Sequence, residues 1–168
     1  MAAALPDRVD CAHLADDGAV LERVYPLGEM PRLRDLLADP HGAVHARFTF
    51  ARLGSGHAGA SVAVEASPRL VCQRCMQGFA FAAAGSSEIE FSNGLGWGAP
   101  DSPREVYATD EGWVSLRELA EEELLLVLPV VAMHTPQSCG QAQIVEAGGE
   151  LQDRSRPFAA LQDLLKKT

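Results

Sequence analysis

Four side chains in this sequence are able to act together in metal or thiol chemistry. Cys72 and Cys75 lie in Val71-Cys72-Gln73-Arg74-Cys75, and His134 and Cys139 follow an acidic, then wholly apolar, run that begins at Glu121. A Cys-x-x-Cys at a turn can hold two sulfurs about 3.5–4 Å apart, each about 2.3 Å from one zinc ion, and a tetrahedral site then needs two more thiolate or imidazole ligands. His134 and Cys139 would complete such a Cys3His set. Because the second pair is not a matched Cys-x-x-Cys, two other readings stay open. The cysteines would be a reduced, metal-free cluster, since buried free cysteines are common in cores. Alternatively, the chain would be a thiol redox enzyme with Cys72 as its thiolate and Arg74 favouring the charged form. Thioredoxin-type sites place the first cysteine at a helix N-terminus, whereas Gly78-Phe79-Ala80-Phe81 alternates like a strand.

Other chemistry finds little support in the sequence. The five histidines, His13, His41, His45, His57 and His134, show no paired metal motif such as His-Glu-x-x-His, and there is no nucleophile elbow. Gly54-Ser55-Gly56 lacks the lysine and following helix of a phosphate loop, so it reads as a turn. Glu121-Glu122-Glu123 point in different directions on a helix and read as a solvated acidic face. Arg69 and Arg74 flank the cysteine pair; they are the residues best placed for an RNA contact, if one exists, and otherwise pack their stems or pair with glutamates. Trp97 and Trp113 lie in or beside a long loop.

The elements that must position the cysteines follow from apolar spacing. Leu33, Leu36 and Leu37, with Pro31 before them and Pro40 after, predict a short helix over 29–38. Phe48/Phe50, Val62/Val64 and Ile89/Phe91 alternate with polar or small neighbours, which predicts a meander of half-buried strands from about Ala43 to Phe91. The second strand is expected to run on through Leu70-Val71 to the cysteine pair. Ser92 to Arg104 is rich in Gly, Pro, Ser and Asn and reads as a surface loop. Ser115 with Glu118 forms a capping box for a helix carrying Leu116, Leu119, Ala120, Leu124 and Val127. That helix must stop near Leu128, because Pro129 disfavours helical geometry in the residue before it; Val130 to Ala132 should then be extended. The expected fold is one α+β domain over 1–168: a twisted antiparallel sheet or open barrel with a covering helix and short terminal helices. From about Thr135 the chain is expected to be a mobile segment.

The cysteine pair, the acidic-to-apolar helix that breaks at proline, and the ending Arg156-Pro157-Phe158-Ala159-Ala160-Leu161-Gln162-Asp163-Leu164-Leu165-Lys166-Lys167 together resemble the YceD family, also called DUF177. The resemblance spans about Val71 to the C-terminus, with Met76 departing from the residue types usual after the second cysteine. It implies a bacterial or organellar protein that supports accumulation of 23S ribosomal RNA, with no catalytic residues.

Composition constrains how such a role is performed. With 168 residues and 47% hydrophobic content the chain can bury a core without zinc or disulfides for size alone. Four cysteines are too sparse for a secreted disulfide framework, the start lacks a basic n-region and long apolar stretch, and the run from Leu124 to Met133 is too short to span a bilayer. A reducing cytoplasm and no membrane contact are therefore expected. A net charge of -9 opposes direct RNA binding, which draws on Lys and Arg displacing counterions. It favours a basic large-subunit ribosomal protein or a pre-ribosomal particle, met by the helix face at Glu118, Glu121 and Glu122, with the segment after Thr135 ordering on contact. A zinc-stabilised interaction module outside ribosome assembly is the alternative.

Overall fold

The alternating segments around Phe48 and Val62 form the centre of a sheet. The structure, a computed structural model, describes residues 7–54, 56–93, 104–135 and 139. Along them run β1 (Arg8–Asp10), α1 (Cys11–Asp16), β2 (Val20–Pro26), β3 (Leu37–Asp39), β4 (Ala43–Arg52), β5 (Ala58–Ala66), β6 (Arg69–Val71), β7 (Gly78–Ala80), β8 (Ala83–Asn93), β9 (Glu105–Thr109), β10 (Trp113–Ser115) and α2 (Leu116–Val127). The main sheet has the order β2-β4-β5-β8-β9 and is open; β3-β6-β7 and β1-β10 form smaller sheets. This is the α+β class expected, with α2 covering the main sheet and α1 a short helix near one end. A C-terminal helix would fall outside the described residues.

One face of the main sheet is apolar, as the period-2 pattern requires. Phe48, Phe50, Val62 and Val64 are buried; in the β4–β5 register Phe48 faces Val62, Phe50 faces Ala60 and Val64 faces Ala46. Leu116, Leu119, Ala120 and Leu124 of α2 pack onto that face and are buried as well. The Ser115 hydroxyl accepts from the Glu118 amide at 3.2 Å, and Leu128 leaves the helix with ψ 141° ahead of Pro129. The Ser115 cap and the proline stop thus bound α2 as expected.

Four expectations are corrected. The segment 29–38 is not a helix: it forms single 3-10 turns at Leu27–Glu29 and Arg34–Leu36, and Leu37 enters β3. Backbone partners explain it, because the amides of Arg32 and Leu33 donate to the Glu121 carboxylate at 2.7 and 3.3 Å, and Leu37 pairs with Leu70 of β6. The second strand does not run through to the cysteines. It ends at Ala66, and after Ser67-Pro68 the chain changes sheets, proline lacking the N–H that a central strand needs. The sheet is not wholly antiparallel, since β8 and β9 run parallel. A parallel pair cannot be joined by a tight hairpin; residues 94–103, with Leu95 and Trp97 of the expected loop, lie outside the described set. Trp113 is in β10 and 45% exposed. Finally, the acidic face of α2 is only partly solvated, for Glu121 and Glu123 are buried and only Glu118 and Glu122 remain accessible.

The inward glutamates and the small residues of β8 let α2 sit close to the sheet. The Ser87 hydroxyl donates to Glu123. At Gly85 an added Cβ would lie 2.3 Å from Val127 Cγ2. Gly85→Ala should therefore lower stability by about 1–3 kcal/mol through forced repacking, whereas Gly54→Ala, where nothing lies within 4 Å, should not create such a clash. Glu121→Ala should cost about 1–3 kcal/mol by orphaning two amide donors, and Glu118→Ala should stay within about 0.5 kcal/mol. Urea titrations of the four variants check both pairs.

Candidate metal centre

The cysteine pair occupies the loop of the β6–β7 hairpin. Val71 pairs with Gly78, and inside that pair the Cys72 amide donates to the Gln77 carbonyl at 2.9 Å while the Met76 amide donates to the Cys72 carbonyl at 2.8 Å. Met76 closes the loop at φ 59°, in the left-handed region. The facing segment is the strap that leaves α2 at Pro129. It does not join a sheet; the Gln73 amide donating to the Ala132 carbonyl at 2.9 Å clips it to the loop. The Phe79 ring lies 4.7 Å from the His134 ring, tilted by 41°. A turn in which the Cys139 amide donates to the Thr135 carbonyl at 2.9 Å brings the last thiol in.

The structure brings together all four residues singled out in the sequence. Single ligand atoms from Cys72, Cys75, His134 and Cys139 all lie within 4.8 Å of one another. Cys72 Sγ is 3.9 Å from Cys139 Sγ, and Cys75 Sγ is 3.4 Å from His134 Nδ1. The edges of a tetrahedron with zinc–sulfur and zinc–nitrogen bonds of usual length are about 3.6–3.8 Å, so these separations suit one four-coordinate metal ion. Cys72 and Cys139 are buried, while Cys75 and His134 are half-buried. Burial pushes the Cys72 thiol up, but the amides of His134, Cys75 and Arg74 and the His134 side chain outweigh it and hold the group down at about 5. Burial and the neighbouring Cys75 and Cys72 sulfurs push Cys139 up. Cys72 is thus the more readily ionised of the two thiols, and a bound cation would favour loss of the Cys139 proton. Cys72 stands at a hairpin loop rather than a helix N-terminus.

The residues expected to meet a partner differ in what they contact. Arg69 Nε is 3.8 Å from Asp39, and Arg74 is exposed, donating to Met133 Sδ at 3.7 Å. On α2, Glu118 faces solvent, Glu122 pairs with Arg32 at 3.6 Å, and Glu121 is committed to the amides under the helix. Sequence reasoning missed Phe79 and Gln73 as supports of the cluster. Alternation put Phe79 in a strand, yet nothing in it names the ring on the facing segment. Among the described residues no helix is long and apolar enough to cross a membrane.

Comparison with known proteins gives one consistent pointer. No protein-family profile matches the chain, and no solved structure matches it. A curated protein of Haemophilus influenzae, "Large ribosomal RNA subunit accumulation protein YceD", is 31% identical over 106 residues, covering 58% of this chain and 60% of the relative. The chain therefore spans somewhat under two thirds of the length of that relative, and is similar to it over most of its own.

Proposed function

We propose that this chain is a YceD-type, non-catalytic cytoplasmic factor that supports 23S rRNA synthesis, processing or stability during assembly of the large ribosomal subunit. The carrying observation is the 31% identity to the Haemophilus influenzae protein named for large ribosomal RNA subunit accumulation. The net charge of -9 supports action through a basic large-subunit protein or a pre-ribosomal particle rather than through naked RNA. Glu118 and Glu122 are the helix carboxylates accessible to such a partner; Arg69 and Arg74 become relevant if RNA is touched directly.

We further propose zinc as the metal for Cys72, Cys75, His134 and Cys139. Three sulfurs and one imidazole nitrogen form a soft, four-ligand set, the pattern of structural rather than catalytic zinc. When bound, zinc would cross-link the β6–β7 loop to the strap and neutralise the thiolate charge. His134 would ligate through Nδ1, with Phe79 orienting the ring and the amides that donate to Cys72 supporting that sulfur.

The role and the metal are tested separately. Deleting the gene should lower the ratio of 23S to 16S rRNA or accumulate immature large subunits; a normal ribosome profile, in the cold as well, would contradict the role. Purified reduced protein should carry about one zinc per chain, and a chelator should lower its melting temperature because metal binding contributes to folding free energy. Clearly substoichiometric zinc, with a melting temperature indifferent to chelator, would leave a metal-free thiol cluster. Cys72→Ser should lose metal and stability together, whereas a redox enzyme would lose activity and keep its fold.

A further inference from the structure

The surface beside the metal cluster is apolar. Of the nine exposed large hydrophobic side chains among the described residues, three line one groove here: Met76 on the cysteine loop, Val130 on the strap and Leu36 on the turn before β3. Val130 is 96% exposed and Met76 73% exposed. Isolated exposed apolar residues are ordinary, but a contiguous patch marks an interaction site. Continuity comes from a groove of about 180 Å3 whose lining includes Leu36, Met76 and Val130 at the rim, with Leu70, Val71 and Leu128 behind them. One wall is the cysteine loop and the other is the strap, the two segments that the cluster brings together.

The lining discriminates between occupants. It contains no aromatic ring on which a base would stack and no lysine or arginine; exposed Arg74, on the same loop, is outside it, so the groove itself gives single-stranded RNA no stacking platform. Its one charged residue is Asp35, which is exposed and forms no ion pair among the described residues. A carboxylate at the edge of an aliphatic groove suits a peptide whose apolar side chains enter the groove and whose lysine or arginine meets Asp35. Flexible Met76 lets the rim adapt to that segment. A second copy of this chain is disfavoured, because each copy carries a net charge of -9.

We infer that the groove between the cysteine loop and the strap is the docking site for an apolar, lysine- or arginine-flanked segment of a basic protein. The inference rests on the proposed ribosome-assembly role and names the surface that role uses. It moves the principal contact from the α2 glutamates to Leu36, Met76 and Val130, with Asp35 as the polar anchor.

The test uses the full-length, zinc-loaded protein with a photo-crosslinking residue at position 130. Two probes are presented separately: the protein mixture extracted from purified large subunits, and naked 23S rRNA. The expected result is a crosslink to one basic protein. With that protein purified, Val130→Asp and Met76→Asp should each weaken binding about tenfold or more. Asp35→Lys should weaken it too, while Val24→Asp, at a position 59% exposed on β2, should leave it unchanged. Aspartate tolerates the left-handed conformation of Met76, and equal zinc content and melting temperature establish that each variant is folded. Crosslinking to rRNA alone, to a second copy alone or to nothing overturns the inference, as does unchanged affinity in the aspartate variants. If deletion lowers 23S rRNA but the Val130→Asp gene restores it fully, the groove fails and the role stands. If deletion has no effect, the role fails whatever the groove binds.

Discussion

Cys72 and Cys139 are separated by 67 positions, yet their sulfurs lie 3.9 Å apart, outside the main sheet. The rest of the candidate site depends on that closure. Bringing the ends of a long loop together costs entropy that grows only slowly with its length, so the larger demand is to hold two short, irregular segments in register. The β6–β7 hairpin fixes one of them, and the bond from Gln73 to Ala132 fixes the other against it. Single backbone hydrogen bonds contribute about 1 kcal/mol each. The proposed metal ion would contribute several times that.

The strap begins where α2 ends, so the seat of α2 on the sheet sets the geometry of the cluster. Gly85 allows close approach, Ser87 binds Glu123, and Glu121 captures the amides of Arg32 and Leu33. These contacts tie the helix to β8 on one side and to the turns before β3 on the other. The second tie matters because β3 pairs with β6, which leads directly into Cys72. Two routes from α2, one through its C-terminus and one through Glu121, thus arrive at the same four residues. Both of its inward carboxylates are buried and engaged in hydrogen bonds within the fold.

What was legible in the sequence is what local rules determine. Ser115, Glu118 and Pro129 bound α2 because capping and proline sterics act within a few residues. Phe48, Phe50, Val62 and Val64 revealed two strands because one face is buried and the other wet. The gathering of Cys72, Cys75, His134 and Cys139 was legible in the Cys-x-x-Cys and the later His and Cys, although those residue types alone left a metal site, a metal-free cluster and a redox thiol open. Tertiary competition hid the rest. The segment around Leu33 has helix spacing, but Glu121 and β6 claim its backbone. The first half of β8, Ala83-Ala84-Gly85-Ser86-Ser87, has poor strand formers, yet those small residues are what a close helix requires. Glu121 looked solvated because nothing in its neighbours reveals the amides beneath it.

In the proposed role a chain of net charge -9 holds something basic, and the proposed metal centre shapes a surface for it. That centre is the claim on which the account turns. X-ray absorption at the zinc edge of purified, reduced protein measures it directly. The account predicts four-coordinate zinc with about three sulfurs at about 2.3 Å and one nitrogen at about 2.0–2.1 Å. A shell of oxygen and nitrogen alone, or a signal too weak for a stoichiometric metal, would contradict it.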